Sequence, residues 1–506
     1  MKNYIFFIGG SGARAYTAFI HCAAAGALET KAVSTLMIDA DVDNGANDKS
    51  RNLYRIYKEM YNMFPDKESR TVFTCDINME TETILSPLRS DAVTLNDAVG
   101  QIGKDRQRLL DCLYTKEEKE QNLKYGFYAH PNIGCVFFSD FQSKEFNDCV
   151  KKIDTQLTGG EEVRIALVGS IFGGTGAAGI PTVLKLLRDK LKGNNNYNKL
   201  YIGGIFFTPY FAVGHAEQGK SISIHAEEFY FNTYEALSYY KATRKTDFHS
   251  IYLVGQQELD IVNSRYADGG PDQDNKPHIV ELYAALAIDS FFSQPDRYGV
   301  FGAVRKGKLN WKEFPRANKD HPAKIVQMAN FARAQAVFVA EICGYAEQTD
   351  NGFEKRCREL GIIIPQWYKK YNIKSQSEEM RLKKMEEYSD TFLDWLYKLT
   401  CTYDGAGNPS CNENICLFGS GLENAYNISQ GKEKTGNEIK ENLKNFRDSF
   451  NTFIDTASNV EYILDKASLI LSMAGIGSGA GWALGAAGLF LKIVSLASGR
   501  KQKAIK

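Results

Sequence analysis

The chain alternates between short apolar runs and longer stretches with helical periodicity. The apolar runs cover residues 4–8, 33–38, 165–168, 200–207 and 250–254. Helical patterns are found at residues 14–25, 182–190, 226–241, 277–292 and 374–399. Strands that alternate with helices are typical of an α/β fold built on a parallel sheet. The apolar stripe of the 374–399 helix favours a core or partner-facing role.

A glycine-rich run follows the third apolar run. It reads Phe172, Gly173, Gly174, Thr175, Gly176 and Ala177. Glycine lets the backbone approach a ligand closely, and the N–H groups at the start of a helix attract anions. The run therefore predicts a phosphate-binding loop. It is not a Walker loop, because no Lys-Ser or Lys-Thr pair follows Gly176.

Candidate ligand-binding residues also follow the first two apolar runs. The first run leads into Gly9, Gly10, Ser11, Gly12 and Ala13. Taken alone, this is equally well an ordinary strand-to-helix turn. The second run ends in Asp39 and Asp41. Carboxylates at the end of a strand suit a hydrated magnesium ion or a ribose hydroxyl, or they cap the next helix.

The order of these motifs resembles that of the tubulin/FtsZ superfamily. In that family the first strand enters a glycine-rich loop, the second precedes Asn-Thr-Asp, and the phosphate loop reads Gly-Gly-Gly-Thr-Gly. Here Thr208, Pro209 and Tyr210 stand where the family has Arg-Pro-Phe or Pro-Tyr. Phe172 replaces the family's first glycine. The resemblance covers roughly residues 1–300.

The resemblance implies a divergent bacterial tubulin-like protein that binds GTP or GDP with Mg²⁺. The nucleotide would contact both glycine runs and Asp39, and the metal would lie at Asp41. The expected fold is α/β, with a parallel-sheet Rossmann-like GTPase domain, a central helix and a second α+β domain; beyond the resemblance, the composition adds a helical, glycine-rich hydrophobic C-terminal tail. These parts are placed at residues 1–276, 277–292, 293–460 and 461–506.

Base recognition and hydrolysis depend on positions that depart from the family pattern. His278 and Glu281, at the start of the 277–292 helix, are the candidates for stacking on and reading the base; the alternative is a solvated helix start. The family's Asn-x-Asp-x-x-Asp/Glu loop has no counterpart here. Asp296 and Glu313 are the candidate catalytic carboxylates, or surface charges, so we expect GTP hydrolysis to be slow or lost.

Charge and cysteine content narrow the class of protein. The 506 residues include 61 basic and 61 acidic side chains, so the net charge is zero. A balanced charge argues against nucleic acid as the main partner. The ten cysteines are scattered, as expected for free thiols in a reducing cytoplasm.

The C-terminal segment is the second feature of the sequence that bears on function, because it is long, uncharged and rich in apolar residues. Residues 467–491 contain no charged side chain, and a basic end follows at residues 500–506. About 20 apolar residues span a bilayer as a helix. The many glycines weaken both helix formation and insertion. A membrane-inserting tail, a glycine-rich hairpin buried in an oligomer and a flexible tail all remain open.

We expect a cytoplasmic protein, peripheral to or inserted in the inner membrane, that self-assembles into filaments or oligomers under nucleotide control. Two alternatives belong to other classes. One is a scaffold or membrane-disrupting effector with a vestigial nucleotide site. The other is a Rossmann-type enzyme that binds a dinucleotide at residues 9–12, with Glu29 or Asp39 on the ribose. A loop at residues 125–134 is expected to pack on a neighbouring domain or subunit, or to cover the nucleotide.

Overall fold

The computed structural model describes most of the first 307 residues and parts of the remainder. Within residues 1–307 the gaps are 64–70, 90–92, 100–103, 140, 213–225, 244–246, 263–268, 272, 274 and 295–297. Beyond them, the described residues are 324, 327–328, 331–332, 335, 376–403 and 409–411. The predicted tail at 461–506 and most of the region at 293–460 therefore lie outside the described residues.

A parallel sheet of seven strands forms the centre of the described part of the chain. Seven of the strands that the structure describes belong to this sheet, and four form two small sheets. In chain order they are β1 (Lys2–Ile8), β2 (Ala32–Ile38), β3 (Asp76–Met79), β4 (Val163–Ser170), β5 (Leu200–Phe207), β6 (Phe211–Ala212), β7 (Ser250–Gln256), β8 (Asp260–Ile261), β9 (Gly299–Arg305), β10 (Cys401–Tyr403) and β11 (Pro409–Cys411). The order in the large sheet is β3-β2-β1-β4-β5-β7-β9, and β6 with β8 and β10 with β11 form two small sheets. All five predicted strands are confirmed.

Helices cover both faces of the sheet. They are α1 (Gly9–Ala24), α2 (Gly45–Met63), α3 (Leu95–Val99), α4 (Lys104–Leu113), α5 (Lys116–Glu120), α6 (Pro131–Ser139), α7 (Lys144–Thr158), α8 (Gly174–Leu191), α9 (Ala226–Thr243), α10 (Ile279–Ser293) and α11 (Gln376–Thr400). Side chains of β1 alternate between the two faces, so Phe7 packs with α1 and Phe6 packs with α7 and α8. Because both faces are buried, β1 reads as an unbroken apolar run.

The strand order reverses between β1 and β4. From β1 the chain builds outward through β2 to β3, and from β4 it builds the other way through β5 and β7 to β9. The two central strands pair in register, with Tyr4 opposite Ile165 and Ile8 opposite Gly169. Their carboxyl ends therefore lie side by side, at the topological switch point where open α/β sheets bind their ligands.

The helix predicted at 277–292 is confirmed as α10. It is buried along almost its whole length, between α1 and strands β4, β5 and β7. Asp289, which is fully buried, accepts hydrogen bonds from the backbone N–H groups of Glu29 (3.0 Å) and Thr30 (2.9 Å) and pairs with Lys324. This carboxylate ties α10 to the connection between α1 and β2.

The predicted helix at 374–399 is confirmed as α11, and its apolar stripe is part of the core. Tyr388, Phe392 and Trp395 surround the buried side chain of His21 on α1. The ring centroids of His21 and Trp395 are 4.4 Å apart, and His21 Nδ1 lies 3.2 Å from the Tyr388 hydroxyl. Burial lowers the pKa of His21 to about 3, so this imidazole is neutral at pH 7.

Several sequence-based expectations differ from the structure. The sheet does not end with the predicted 1–276 domain, because β9 pairs with β7 and forms the sheet's edge. Residues 104–120 form two helices, because Thr115 forms a capping box with Glu118 and starts α5 as a separate helix. Five described cysteines are free thiols, of which Cys22, Cys75 and Cys149 are buried and Cys112 and Cys135 are exposed.

Candidate functional site

Two helices begin at the switch point, and each starts with a glycine run. The first turn of α1 begins at Gly9, directly after β1, and α8 begins at Gly174. The residues before them are Ile8 and Gly173, which have no side-chain oxygen that could cap the helix. No acidic residue lies in either first turn. The first-turn N–H groups of both helices are therefore suited to hold an anion.

The glycines bring the two helix starts together. A Cβ atom added at Gly9, whose φ is +75°, would lie 3.3 Å from the Cβ of Thr175. A Cβ at Gly176 would overlap the carbonyl oxygen of Ser170. Both positions therefore require glycine. Of the residues in the two runs, those that remain partly exposed are Gly10, Ser11, Gly173, Thr175 and Ala177.

Asp39 directly follows β2 and contacts the second glycine run. Its carboxylate accepts a hydrogen bond from the Asn47 amide (3.0 Å), and its side chain also hydrogen-bonds to Thr175. Burial, together with the neighbouring Asp41 charge, raises the pKa of Asp39 to about 7. The structure thus brings Asp39 and Thr175 together, as a shared nucleotide site requires.

Asp41 is the carboxylate predicted to hold a metal. Its Oδ2 accepts hydrogen bonds from the Gly270 N–H (2.7 Å) and from the Asn44 amide (3.2 Å). Its Oδ1 is buried and has no hydrogen-bond partner among the described residues. Burial raises the pKa of Asp41 as well. A buried carboxylate oxygen without a donor costs free energy that a bound cation would recover.

The donor set around Asp41 is small. Across the described residues, no three side chains of His, Cys, Asp or Glu lie close enough together to hold a metal ion. Magnesium commonly uses one or two carboxylates and completes its shell with water and substrate phosphates. Asp39 and Asp41 fit that mode of binding. They do not form a cage made of protein groups alone.

Three polar residues at this site were not predicted. Asn44 and Asn47, five and eight positions after Asp39, hydrogen-bond to the two carboxylates, and Gln273 hydrogen-bonds to Asn44. Asn44 also lies beside Gly10, at 3.9 Å from an added Cβ. Asn44 was detectable in principle, because it directly precedes α2 and accepts from the Ala46 N–H (2.8 Å), and Asn is a preferred residue before a helix. Gln273 lies too far along the chain for such an argument.

A buried polar chain runs from the first glycine run to α10. The Ser11 hydroxyl hydrogen-bonds to Tyr210, whose hydroxyl donates to Glu281 Oε1 (3.0 Å). Glu281 forms an ion pair with Arg14, whose guanidinium lies 5.7 Å from the Tyr210 ring centroid. Burial opposes the charge on Arg14, but Glu281 and Tyr210 outweigh it, so the pKa of Arg14 is raised. This chain connects the candidate ligand site to the central helix.

The predicted base-reading residues both belong to the start of α10. His278 caps the helix by accepting from the Val280 N–H (3.1 Å), and its Nε2 lies 2.9 Å from Asp260 Oδ2. The Glu281 carboxylate also accepts from the His278 backbone N–H (3.0 Å). The structure therefore gives both side chains structural partners. Their role in recognising a base stays a prediction.

Phe172 is buried in an aromatic cluster. Its ring centroid is 4.8 Å from that of Phe229, 5.7 Å from that of Phe211 and 6.3 Å from that of Tyr210. The aromatic ring in place of the family's glycine therefore packs against α9 and β6. The glycines of the run begin one residue later, at Gly173.

The remaining site predictions fall elsewhere. Asp296 and Glu313, the candidate catalytic carboxylates, lie outside the described residues, as does the segment at 467–506. Among the helices that the structure describes, none combines the length and the apolar character that crossing a bilayer requires.

The opposite pKa shifts of Asp39 and His21 give a test of the fold. Unfolded His21 takes up a proton near pH 6.5 but folded His21 only near pH 3, so its contribution to stability falls as the pH is lowered. Asp39 takes up its proton near pH 7 in the folded protein and near pH 3.8 in the unfolded chain. Its contribution to stability therefore rises as the pH is lowered. Relative to the wild type, lowering the pH from about 6.5 to 5 should destabilise Asp39→Asn and stabilise His21→Gln, each by up to roughly 1.4 kcal/mol per pH unit.

Urea unfolding of the three proteins across this pH range measures both effects. Parallel curves for the wild type and both variants would contradict the burial of these groups.

The chain was compared with protein families, curated proteins and solved structures. No protein-family model, no curated protein and no solved structure matches it.

Proposed function

We propose that this chain is a tubulin/FtsZ-like GTP-binding protein with its phosphate site at the carboxyl ends of β1 and β4. One observation carries the proposal: α1 and α8 begin side by side at the switch point, each with an uncapped glycine run. Ligands of open α/β sheets bind at such a point, and a pair of helix N-termini favours a polyanion.

In this proposal the phosphates lie between residues 9–13 and 172–178. Asp41, whose Oδ1 has no hydrogen-bond partner among the described residues, would hold Mg²⁺, and Asp39 would contact the nucleotide. Magnesium would neutralise phosphate charge at the site. Guanine as the base follows from the sequence resemblance alone, with His278 and Glu281 as its candidate contacts.

Nucleotide occupancy would control assembly into filaments or oligomers, and the tail at 467–506 would associate with a membrane. Hydrolysis would be slow or lost, because the candidates Asp296 and Glu313 depart from the family's catalytic pattern. If the glycine runs hold no nucleotide, the same chain would instead be a scaffold or a membrane-disrupting effector.

A dinucleotide-binding enzyme is the second candidate function. Asp39 favours it, because this carboxylate stands at the end of β2, beside β1, where Rossmann enzymes hold a ribose. Against it, Asp39 is buried and hydrogen-bonded to Asn47 and Thr175. A dinucleotide at α1 would also leave the second glycine run without a role.

The bound nucleotide itself tests the proposal. We expect purified protein, denatured and analysed by chromatography, to release guanine nucleotide at close to one per chain. GTP taken up by nucleotide-free protein would give the same answer. Release of a nicotinamide or flavin dinucleotide would favour the second candidate. A native protein that neither contains nor takes up nucleotide would contradict both nucleotide-binding candidates, and the scaffold would remain as the alternative.

A further inference from the structure

The backbone is strained in the segment at residues 125–129, which connects α5 to α6. Gly126 has a φ of +101°, and the non-glycine residues Tyr128 and Ala129 have φ values of 45° and 61°. The left-handed region costs a non-glycine residue roughly 1–2 kcal/mol. Such a conformation persists only where the surrounding structure enforces it, and it is often found at functional sites.

The strained segment lies against both parts of the candidate site. Phe127 is buried, and a Cβ added at Gly174 would come within 2.6 Å of the Phe127 Cβ. At the other end, a Cβ added at Gly126 would lie 3.8 Å from the Cβ of Asp41. The segment therefore extends from the start of α8 to the predicted metal ligand. It forms a third wall of the site, beside the two glycine runs.

One side chain fastens this wall to the second glycine run. Asn232, on α9, donates through its Nδ2 to the carbonyl oxygen of Ala129 (2.9 Å) and to that of Phe172 (3.1 Å). Phe172 is the first residue of that run. A single amide group thus joins three chain segments that are far apart in sequence.

We propose that Asn232 is a positioning residue of the phosphate site, an inference that rests on the proposed function. The carbonyl of Phe172 and the N–H of Gly173 belong to one planar trans peptide unit, so they point in opposite directions. The hydrogen bond from Asn232 fixes the direction of this carbonyl, so the Gly173 N–H points away from Asn232. In that orientation the N–H is available to an anion at the site. The bond to Ala129 holds the strained wall against the same ligand.

The test compares Asn232→Ala and Asn232→Asp with the wild type, using GDP with Mg²⁺ as the ligand. Thr233→Ala is the matched control, because the Thr233 hydroxyl donates only within its own helix, to Phe229 (2.7 Å). We expect the Kd for GDP to rise about 10- to 100-fold in both Asn232 variants near pH 8, with Tm close to that of the control. In Asn232→Asp the affinity relative to wild type should recover in part as the pH falls, because a protonated carboxyl group donates one of the two hydrogen bonds.

Three results of the GDP-binding and Tm measurements would overturn the positioning role of Asn232. If wild type and both variants bind GDP equally near pH 8, Asn232 does not position the site, whereas the proposed function stands. If binding and Tm fall together and acidic pH restores nothing in Asn232→Asp, the residue acts in packing and the inference is overturned. If the wild type binds no GDP, the proposed function fails and the inference fails with it.

Discussion

The Gly10→Asp variant is expected to lose nucleotide binding while keeping its fold. Gly10 is partly exposed in the first turn of α1, and an added Cβ meets only the Asn44 side chain, at 3.9 Å. An acidic residue in a first helical turn stabilises the helix by roughly 0.3–1 kcal/mol. The same carboxylate would occupy the anion site. Two like charges about 4 Å apart at an effective dielectric of about 20 repel by about 4 kcal/mol, or roughly a thousandfold in Kd.

Two controls separate charge from shape in this experiment. Gly10→Asn adds a side chain of the same size without charge, and it should retain affinity to within about tenfold. Gly193→Asp adds the same charge after the C-terminal end of α8, where an added Cβ has no atom within 4 Å. It should bind as the wild type does. Equal nucleotide affinity in Gly10→Asp and Gly10→Asn would exclude an anion beside α1.

The Glu281→Gln variant is expected to be strongly destabilised. Glu281 and Arg14 form a buried ion pair, with side chains 2% and 7% exposed. Removing one partner leaves an uncompensated buried charge, which typically costs about 3–5 kcal/mol. Chemical denaturation should show this loss as a lower midpoint with little change in slope.

The double variant Arg14→Met/Glu281→Gln identifies the cause. When both charges are removed, the buried cation is gone, so the double variant should be more stable than Glu281→Gln alone. Glu161→Gln, at an exposed ion pair with the N-terminus, is the matched control and should change stability by no more than about 1 kcal/mol. Additive losses in the double variant would show that the pair does not act as a unit.

The fold could be predicted where burial makes the sequence pattern strong. Strands β1, β2, β4, β5 and β7 are apolar runs, because most of their residues lie beneath helices. By contrast, β3 is four residues long and β9 is an exposed edge strand, so neither has a clear period. Both α1 and α8 begin earlier than predicted, since glycine has a low helix propensity that tertiary packing overrides.

The site could be predicted only where it is local in sequence. The glycine runs and Asp39 each follow a strand, and parallel strands bring their carboxyl ends to one edge, so the sequence indicates that they meet. Asn232 gave no such signal. Its two acceptors lie 60 and 103 residues away, and a lone asparagine in the amphipathic pattern of α9 looks like any partly exposed residue.

The strand order also has a consequence for synthesis on the ribosome. β1 ends at Ile8 and is therefore synthesised long before one of its two neighbours, β4, which begins at Val163. Translation adds roughly 5–20 residues per second, so about 10–30 s pass between the synthesis of β1 and that of β4. Until then, one edge of a very apolar strand is unpaired, which is the condition that favours aggregation. We expect truncations that end before β4 to be insoluble, and the nascent chain to depend on chaperones during that interval.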